Sequence, residues 1–565
     1  MDISSAQMRN ASAHLVADHG SVYNALIASI TSLLRRGLGN RVKAIVALRP
    51  SSDARPLTQA LPASLSILHF GIIFDTEHAF RLVDLGPSAE EQESEDAKVF
   101  RDLWGEKAEL RRFKDGKIVE SVVWDVKNAD DRGRIPSMIV AYLLERHFKI
   151  AADAVKTWQQ EFDMLLRAPE SVRCLFDARG ASSGFKTALA AFDGLVKRIK
   201  ALDDELPLAI LNISPVSPAL RYTEVFVPVA IPLSSRSGMP TPASYLPAME
   251  IIVEFEKSGR WPDDLRAIQK IKLAFFERLA ATLMASIEGL QAAVVLRDQG
   301  ERSDIQDEAA LDIITPEGWA FRARIWHDRE ATLLDSIIND QPHVPKALRR
   351  KITGEEARER QAAALALEVY TRRFIHGPRH HRAIAALSHR FAAFAGTVRL
   401  VKRWFAAHWL LCGHVSEEAV ELLCAHVFLM PGAGPVASED AAAAAIVGVP
   451  GSKERGFAQV LAFLKEWDWT KGLTVLLDSG ERGAALGAPT AFAGPSASKN
   501  AAWSLATEFD PTGHMWTSSG PSAVVARRVT AIAKASWGTL SALESGSGVP
   551  KVSVYRHSIV TVVYS

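Results

Sequence analysis

The stretch from Leu211 to Val229, LNISPVSPALRYTEVFVPV, has residue types and a spacing that suggest metal-dependent phosphate chemistry. Nucleotidyl transfer uses two Mg²⁺ ions about 3.5–4 Å apart. They need carboxylates two residues apart on one strand, because such side chains face the same way. Glu224 occupies the first of these positions, but Phe226 occupies the second. The stretch therefore predicts the remains of an active site.

The loop before Glu224 also departs from a phosphate-binding design. A Gly-Ser turn at a helix N-terminus would let backbone N–H groups approach a triphosphate. Here Pro215, Val216 and the neighbouring serines fill that position. Proline in addition removes a backbone donor.

In such sites a third acid comes from a neighbouring strand. That strand is predicted in AMEIIVEFE, where alternation places Glu250, Glu254 and Glu256 on one face with Ile252. These glutamates suit either one weak metal site or a solvated sheet face, and we favour the solvated face. We therefore predict no catalytic residue, no metal and no cofactor. Glu224, Phe226 and Glu254 are interpreted as degenerate catalytic positions.

Basic residues form two candidate RNA-binding clusters. The first surrounds the predicted hairpin turn RRFKDG and comprises Arg111, Arg112 and Lys114, with Phe113 and Trp124 close in sequence. Phosphate contacts beside stacking aromatics suit RNA. The alternatives are a protein partner or a solvated hairpin whose Phe and Trp pack in the core.

The second cluster is the densest in the chain and lies in RRFIHGPRHHR and just downstream. Its members are Arg372, Arg373, Arg379, His380, His381, Arg382, Lys402 and Arg403. From His343 to Arg403 there are fourteen Lys and Arg against four Glu, a local net charge of +10. RNA contact, partner binding and an ordinary solvated surface all remain open. In LVKRWFAAHWL, both Trp404 and Trp409 are predicted to pack rather than stack on a ligand.

Two Cys-x-His pairs, Cys412/His414 and Cys424/His426, superficially suggest zinc. Zinc favours two to four residues between paired ligands, and residues two apart on a helix point to different sides. We interpret these positions as buried helix residues.

Composition limits the class of protein. The chain has 565 residues, with 48% hydrophobic and 23% charged residues and a net charge of +1, which is ordinary for a globular protein of several domains. No apolar run reaches the roughly 18 residues that span a bilayer, and no signal peptide is recognisable. Three cysteines predict a reducing compartment and no disulfide scaffold.

Hydrophobic periodicity and turn signals predict an α+β organisation. The predicted parts are a polar segment (1–19), an α+β domain (20–165), a mixed-sheet domain (182–342), a helical domain (345–505) and a partial last domain (506–565). In the mixed-sheet domain the predicted strands are LPLAILNI, EVFVPVAIP, AMEIIVEFE, AALDIIT and WAFRARIW.

Three long blocks together resemble one family. They are FRDLWGEKAELRRFKDGKIVESVVWDV, AMEIIVEFEKSGRWPDDLRAIQKIK with LDIITPEGWAFRARIWHDRE, and YTRRFIHGPRHHRAIAALSHRFAAFAGTVRLVKRWFAAHWL. In sequence and order they resemble the Nrap family of nucleolar RNA-associated proteins, also called the nucleolar protein 6 family.

The resemblance implies two tandem modules like the archaeal-type CCA-adding enzyme. This chain would hold the tail-like domain of the first module (20–165) and the second nucleotidyltransferase-like domain (182–342). A helical poly(A)-polymerase/oligoadenylate-synthase-like domain (345–505) and part of the last tail (506–565) would follow. The first catalytic-like domain would be missing, and the C-terminal residues KVSVYRHSIVTVVYS depart from the family's ending.

The resemblance also implies a non-catalytic scaffold of the small-subunit processome in the nucleus and nucleolus. Its partners would be precursor rRNA and other processome proteins, with no membrane. Two other hypotheses stay open. One is a template-independent nucleotidyltransferase acting on RNA 3′ ends through Glu224 with Glu254 or Glu256. The other is a protein-interaction module that meets RNA only through partners.

Overall fold

A computed structural model describes twelve ranges of the chain, which fall into two compact units. The described residues are 17–20, 22–48, 68–91, 93–114, 116–126, 129–237, 247–259, 261–296, 305–339, 354–430, 448–477 and 501–544. The first unit draws on 1–166, 387–507 and 512–565, and the second on 167–386 and 508–511. Among the described helices, none is long and apolar enough to cross a membrane.

The N-terminal part of the first unit is α+β, as its sequence predicts. Its elements are α1 (Val22–Leu38), β1 (Val42–Leu48), β2 (His69–Phe74), β3 (Val83–Ser88), α2 (Glu95–Trp104), β4 (Glu109–Arg112), β5 (Ile118–Val123), α3 (Ile135–Phe148) and α4 (Trp158–Leu165). The strands form an antiparallel pair β1-β2 and a three-stranded sheet of order β3-β5-β4. The predicted β4–β5 hairpin is confirmed, with Gly116 at a positive φ of 85°.

A buried arginine organises the core of this part. Arg41 is fully buried and donates to both carboxylate oxygens of Asp84, at 3.2 and 2.9 Å. The indole N–H of Trp124 also donates to Asp84, at 2.9 Å. These bonds satisfy the charges that the core encloses, which is the condition for burying them.

The second unit is a five-stranded mixed sheet with helices on both faces. Its elements are α5 (Glu170–Asp177), β6 (Ser182–Ser183), α6 (Phe185–Lys200), β7 (Ile210–Pro215), β8 (Val229–Ala230), β9 (Met249–Phe255), α7 (Leu265–Ser286), β10 (Gln291–Leu296), β11 (Ala309–Ile314), β12 (Ala320–Trp326), α8 (Arg329–Ile338) and α9 (Gly354–Tyr370). The strand order is β10-β11-β12-β9-β7, parallel only between β12 and β9.

Alternation along β9 explains the two helical layers. Met249, Ile251 and Val253 face a core that includes residues of α6 and α7. Ile252 faces the other way and packs in a cluster with residues of α8 and α9. Helices therefore lie on both faces of the sheet at Ile252, and the glutamates predicted on a solvated face, Glu250, Glu254 and Glu256, are half-buried.

The structure differs from the sequence prediction at two strands of this unit. The predicted second strand EVFVPVAIP is a strand only at Val229–Ala230, where it pairs with Ser182–Ser183. Pro228 interrupts the apolar run and cannot donate to a ladder. Strand β10 was not predicted from QAAVVL, yet it pairs along its whole length with β11.

A π-helical turn, Thr371–His376, follows α9 and leads into α10 (Gly377–Arg390). The remaining elements belong to the first unit. They are α11 (Phe394–Ala407), α12 (Glu417–Leu429), α13 (Lys453–Glu466), β13 (Leu473–Val475), β14 (Leu505–Thr507) and α14 (Ala523–Glu544). Helix α13 packs on α11 and α14, and the indole of Trp404 donates to Ser536 Oγ at 3.1 Å. The boundaries predicted at 345 and 505 stay predictions.

We predict that Gly318, in the turn between β11 and β12, cannot be replaced by alanine without loss of stability. Its φ is +96°, and a Cβ there would lie 1.9 Å from the carbonyl oxygen of Ile231. Gly318→Ala should lower the free energy of unfolding by about 2–4 kcal/mol, measured by chemical denaturation.

Gly289→Ala is the matched control. Gly289 also has a positive φ, +78°, but its Cβ would meet nothing closer than Pro316 at 3.7 Å. Gly289→Ala should then lower the free energy of unfolding only by the backbone strain, about 1–2 kcal/mol. Equal losses in the two variants would contradict the close approach to Ile231.

Candidate functional site

Backbone N–H groups of the loop after β7 are already bonded to other groups of the protein. The N–H of Val216 donates to the carbonyl of Glu250 at 3.2 Å, and the N–H of Leu220 donates to the carbonyl of Ser217 at 3.1 Å. Ser217 Oγ caps the short 3₁₀ helix Pro218–Arg221 by accepting from the N–H of Ala219. A phosphate cradle needs such donors aimed outward, so this turn offers little to a triphosphate.

Glu224 and Phe226 lie in irregular backbone, and both are half-buried. The template requires the two acids to share one face of a strand. The structure supplies neither that strand nor a carboxylate at 226.

Arginines of β12 pair with acidic residues on both neighbouring strands. Cα pairing aligns Asp312 of β11, Arg322 of β12 and Glu250 of β9 in one row. Arg322 binds Asp312 through two hydrogen bonds of 2.7 Å. Arg324, two residues further along β12, donates to Glu250 Oε1 at 2.6 Å. The carboxylates that adjacent strands bring together therefore bind guanidinium groups.

These contacts continue into a buried ionic network behind the sheet. Lys272 of α7 is fully buried, with its Nζ 3.0 Å from Asp307 Oδ1 and 2.6 Å from Glu330 Oε1. Arg324 Nη1 lies 3.5 Å from Asp307 Oδ2. With Glu250 and Arg373 the network comprises three cations and three carboxylates, so its formal charges balance.

The π-helical turn brings the third cation into the network. Arg373 donates to the backbone carbonyl and to Oδ2 of Asp307, at 2.9 and 3.0 Å, and its Nε lies 3.7 Å from Glu250. A π-turn shifts side-chain directions relative to an α-helix, and such turns are frequent at functional positions.

The titration behaviour follows from burial and pairing. Burial alone would raise the pKa of Asp307, but the charges of Lys272, Arg373 and Arg324 outweigh it and hold that pKa below its ordinary value. Burial raises the pKa of Glu330, and Lys272 only partly opposes this. Burial would lower the pKa of Lys272, but Asp307 and Glu330 raise it.

The structure separates the predicted RNA-binding candidates by exposure. At the first cluster Arg111, Arg112 and Lys114 are exposed, and Arg111 pairs with Glu109 at 2.8 Å. Trp124 is 1% exposed and Phe113 is half-buried, so the indole packs in the core.

In the second cluster, Arg379 and Arg382 are exposed on α10, whereas His380 and His381 are buried. Arg372 is half-buried, and the Arg373 side chain belongs to the ionic network. The guanidinium of Arg379 lies 5.7 Å from the ring centre of Phe509.

Lys402 and Arg403 of α11 are less exposed than Arg379 and Arg382. Lys402 is fully buried, and its Nζ binds Glu417 at 2.7 Å and Glu421 at 2.8 Å. This burial corrects its interpretation as a phosphate contact, because its ammonium group has no route to a phosphate in this fold. Arg403 is half-buried, and burial lowers its pKa.

The cysteine–histidine pairs are not both on helices. Cys424 and His426 are buried in α12, as predicted, but Cys412 and His414 are exposed in the turn between α11 and α12. No group of three or more His, Cys, Asp or Glu suited to a metal was found among the described residues.

Comparison with family models decides the relationship of the chain. A model described as Nrap protein domain 3 matches residues 1–149. Nrap protein nucleotidyltransferase domain 4 matches 161–389, and Nrap protein PAP/OAS1-like domain 5 matches 391–556. The chain belongs to the Nrap family. The predicted resemblance and fold class, a nucleotidyltransferase-like mixed-sheet domain before a PAP/OAS1-like domain, are confirmed.

Several curated relatives of this Nrap chain are similar along most of it. U3 small nucleolar RNA-associated protein 22 of Schizosaccharomyces pombe is 28% identical over 527 residues, which cover 92% of this chain and 43% of the relative. Its Saccharomyces cerevisiae namesake is 29% identical, covering 79% and 33% respectively. Nucleolar protein 6 of Mus musculus is 27% identical, covering 91% and 42%. The chain thus spans less than half the length of these relatives.

Sequence reasoning did not identify four members of the buried ionic network. Lys272, Asp307, Arg324 and Glu330 are scattered over about sixty residues on different elements, so no short motif joins them. One local signal was available. Arg322 and Arg324 alternate on a predicted strand, and charged residues on a covered face require partners.

We predict that Lys272→Met destabilises the second unit by about 3–5 kcal/mol at neutral pH, because it leaves Asp307 and Glu330 buried without their shared cation. Thermal unfolding would measure the loss. Lys257→Met is the control, since Lys257 pairs with Asp328 at an exposed position and should change little.

The pH dependence has a definite sign. In the wild type the depressed pKa of Asp307 contributes stability that is present above the ordinary carboxyl pKa and is lost as the pH falls through the folded-state value. Without Lys272 the buried carboxyls should have raised pKa values, so folding takes up protons. The deficit of Lys272→Met should therefore shrink as the pH falls from 7 towards 5, and a constant deficit would contradict the network.

Proposed function

We propose that this chain is part of a non-catalytic scaffold of the small-subunit processome, acting in the nucleolus. It would bind precursor rRNA and processome proteins during rRNA processing. Relatives are named as a U3 small nucleolar RNA-associated protein and as a nucleolar protein, which supports the assignment to ribosome biogenesis. The proposal extends those names to this chain.

One observation carries the absence of catalysis. Arg322 and Arg324 bind Asp312 and Glu250, the acids that adjacent strands bring together on this sheet. Mg²⁺ needs carboxylate oxygens that are available to it, whereas a guanidinium satisfies the same oxygens with directed hydrogen bonds. The arginines thus balance the carboxylate charges as a metal ion would. They do not supply the metal's ability to polarise a phosphate.

The RNA-binding part of the proposal rests on the exposed arginines of α10. Arg379 and Arg382 are three residues apart and therefore lie on one side of the helix. They can contact successive phosphates without desolvating a buried charge. The hairpin residues Arg112 and Lys114, with the neighbouring Lys117, offer a second exposed basic surface.

We predict that Arg379→Glu with Arg382→Glu weakens binding of a single-stranded RNA to this chain. Each lost phosphate contact should reduce the slope of log affinity against log salt by roughly 0.7–0.9, so the pair should reduce it by about 1.5. Fluorescence anisotropy between 50 and 200 mM salt would measure the slope.

Lys197→Glu with Lys200→Glu provides the same charge change at the same spacing on α6, where both lysines are exposed. An equal loss in this control would show that the effect is one of net charge alone. Unchanged binding in the α10 variant would instead favour the module that meets RNA only through partner proteins.

The alternative activity, nucleotide addition to RNA 3′ ends, is favoured by the match to a nucleotidyltransferase domain. We predict no incorporation from any nucleoside triphosphate into an RNA primer with Mg²⁺ or Mn²⁺. Gel analysis of a labelled primer would show each added nucleotide. Incorporation by the wild type that Glu224→Gln abolishes would overturn the non-catalytic proposal.

A further inference from the structure

Helix α11 ends in a Schellman motif that carries a tryptophan where glycine is usual. The N–H of Trp409 donates to the carbonyl of Ala406 and the N–H of Leu410 donates to the carbonyl of Phe405, both at 3.0 Å. Trp409 has a φ of +59°, in the left-handed region. Helices commonly end in this way with glycine at the left-handed position, because a Cβ is strained there.

The side chain at this position faces solvent. Trp409 is 64% exposed, whereas Trp404, one and a half turns earlier, is 2% exposed. The prediction that both pack in the interior is therefore wrong for Trp409. A bulky residue in the left-handed region that also leaves its ring in water adds strain without the compensation of burial. Such a combination indicates a function for the side chain.

The turn fixes the backbone that carries the tryptophan. Leu410, which follows it, and Phe405, about one turn before it, are 2% and 0% exposed and anchor the motif in the core. Beyond them, the N–H of Val415 donates to the carbonyl of Leu410 at 3.0 Å, and Ser416 Oγ donates to the carbonyl of Trp516 at 2.7 Å. A ring on a fixed backbone loses less entropy when a ligand stacks on it than a ring on a flexible loop.

Positive charge lies next to this ring. Helix α14 passes the end of α11, because Gly520, just before α14, lies close to the carbonyl oxygen of His414, and Ser536 of α14 accepts a hydrogen bond from the indole of Trp404. Arg528 lies between these two points. Burial, and then the charge of Arg528, lower the pKa of His408, which precedes Trp409. Arg528 is exposed on α14, together with Arg527 and Lys534. Before Glu544, α14 contains no acidic residue.

An exposed aromatic ring with cations near it is suited to binding a single-stranded nucleic acid. Such ligands are bound by aromatic side chains that stack on bases and by basic residues that follow the backbone. The exposed residues of the turn that follows, Cys412, Gly413 and His414, do not form an apolar groove of the kind that anchors a protein helix. The acid nearest to Cys412, Glu417, is paired with Lys402 at 2.7 Å. Charge and shape both favour RNA over a protein ligand.

We propose that Trp409 is a stacking platform for a base of single-stranded RNA and that Arg528 contacts an adjacent phosphate. The proposal rests on the RNA-binding function proposed above and adds a site on the first unit. It is independent of the arginines of α10, so the two can fail separately.

The test uses the whole 565-residue chain and two labelled probes, a 12-nucleotide oligoadenylate and an abasic ribose–phosphate chain of the same length. The wild type should bind oligoadenylate roughly tenfold more tightly than the abasic chain. Trp409→Gly should lose most of that preference while binding the abasic chain as before. Trp409→Phe should retain an intermediate preference, because it keeps a smaller stacking face.

Thermal unfolding separates this effect from misfolding. Trp409→Gly should have a melting temperature equal to or above that of the wild type, because glycine relieves the strain at this φ. Arg528→Gln should weaken binding of both probes and lower the salt slope by roughly 0.7, as expected for one phosphate contact.

Each outcome has a distinct meaning. If Trp409→Gly binds oligoadenylate like the wild type while the α10 variant loses affinity, the platform is wrong and the proposed function stands. If the wild type binds neither probe, both proposals fall. If Trp409→Gly binds RNA normally but no longer captures a purified processome protein, the ring is a protein anchor and the inference is overturned.

Discussion

The ionic network around Lys272 is the constraint on which the second unit depends. It joins α7, the segment before β11, strands β9 and β12, helix α8 and the π-helical turn, so six parts of the chain meet through charges. Charges removed from water are tolerated only when each has a partner with good geometry. If one member moved, another buried charge would lose its partner. The network therefore holds the helices on this face to the sheet.

The same constraint bears on chemistry. In an active transferase sheet, the repulsion among clustered carboxylates is relieved by metal ions. Here Arg322, Arg324 and Arg373 bind the clustered carboxylates. Arginine thus supplies positive charge that this nucleotidyltransferase-like framework needs in order to fold with its carboxylates close together.

In both units the exposure of some side chains differs from what their residue type suggests. In the second unit half of the basic sequence cluster turns inward, where His380, His381 and Arg373 are buried or paired. In the first unit a tryptophan turns outward at Trp409, on a backbone that would suit glycine. Both cases show that residue type alone does not decide whether a side chain is available to a ligand.

The sequence by itself determined the α+β class, the β4–β5 hairpin, strands β11 and β12 and the family, because these depend on local periodicity, turn chemistry and long contiguous blocks. It also places Phe226 where the template has its second acid. Only the tertiary structure decided that Lys402 is enclosed, that Trp409 is exposed and that Glu250 binds arginines. These properties depend on which elements pack together across long sequence separations, and periodicity along one element does not specify its neighbour.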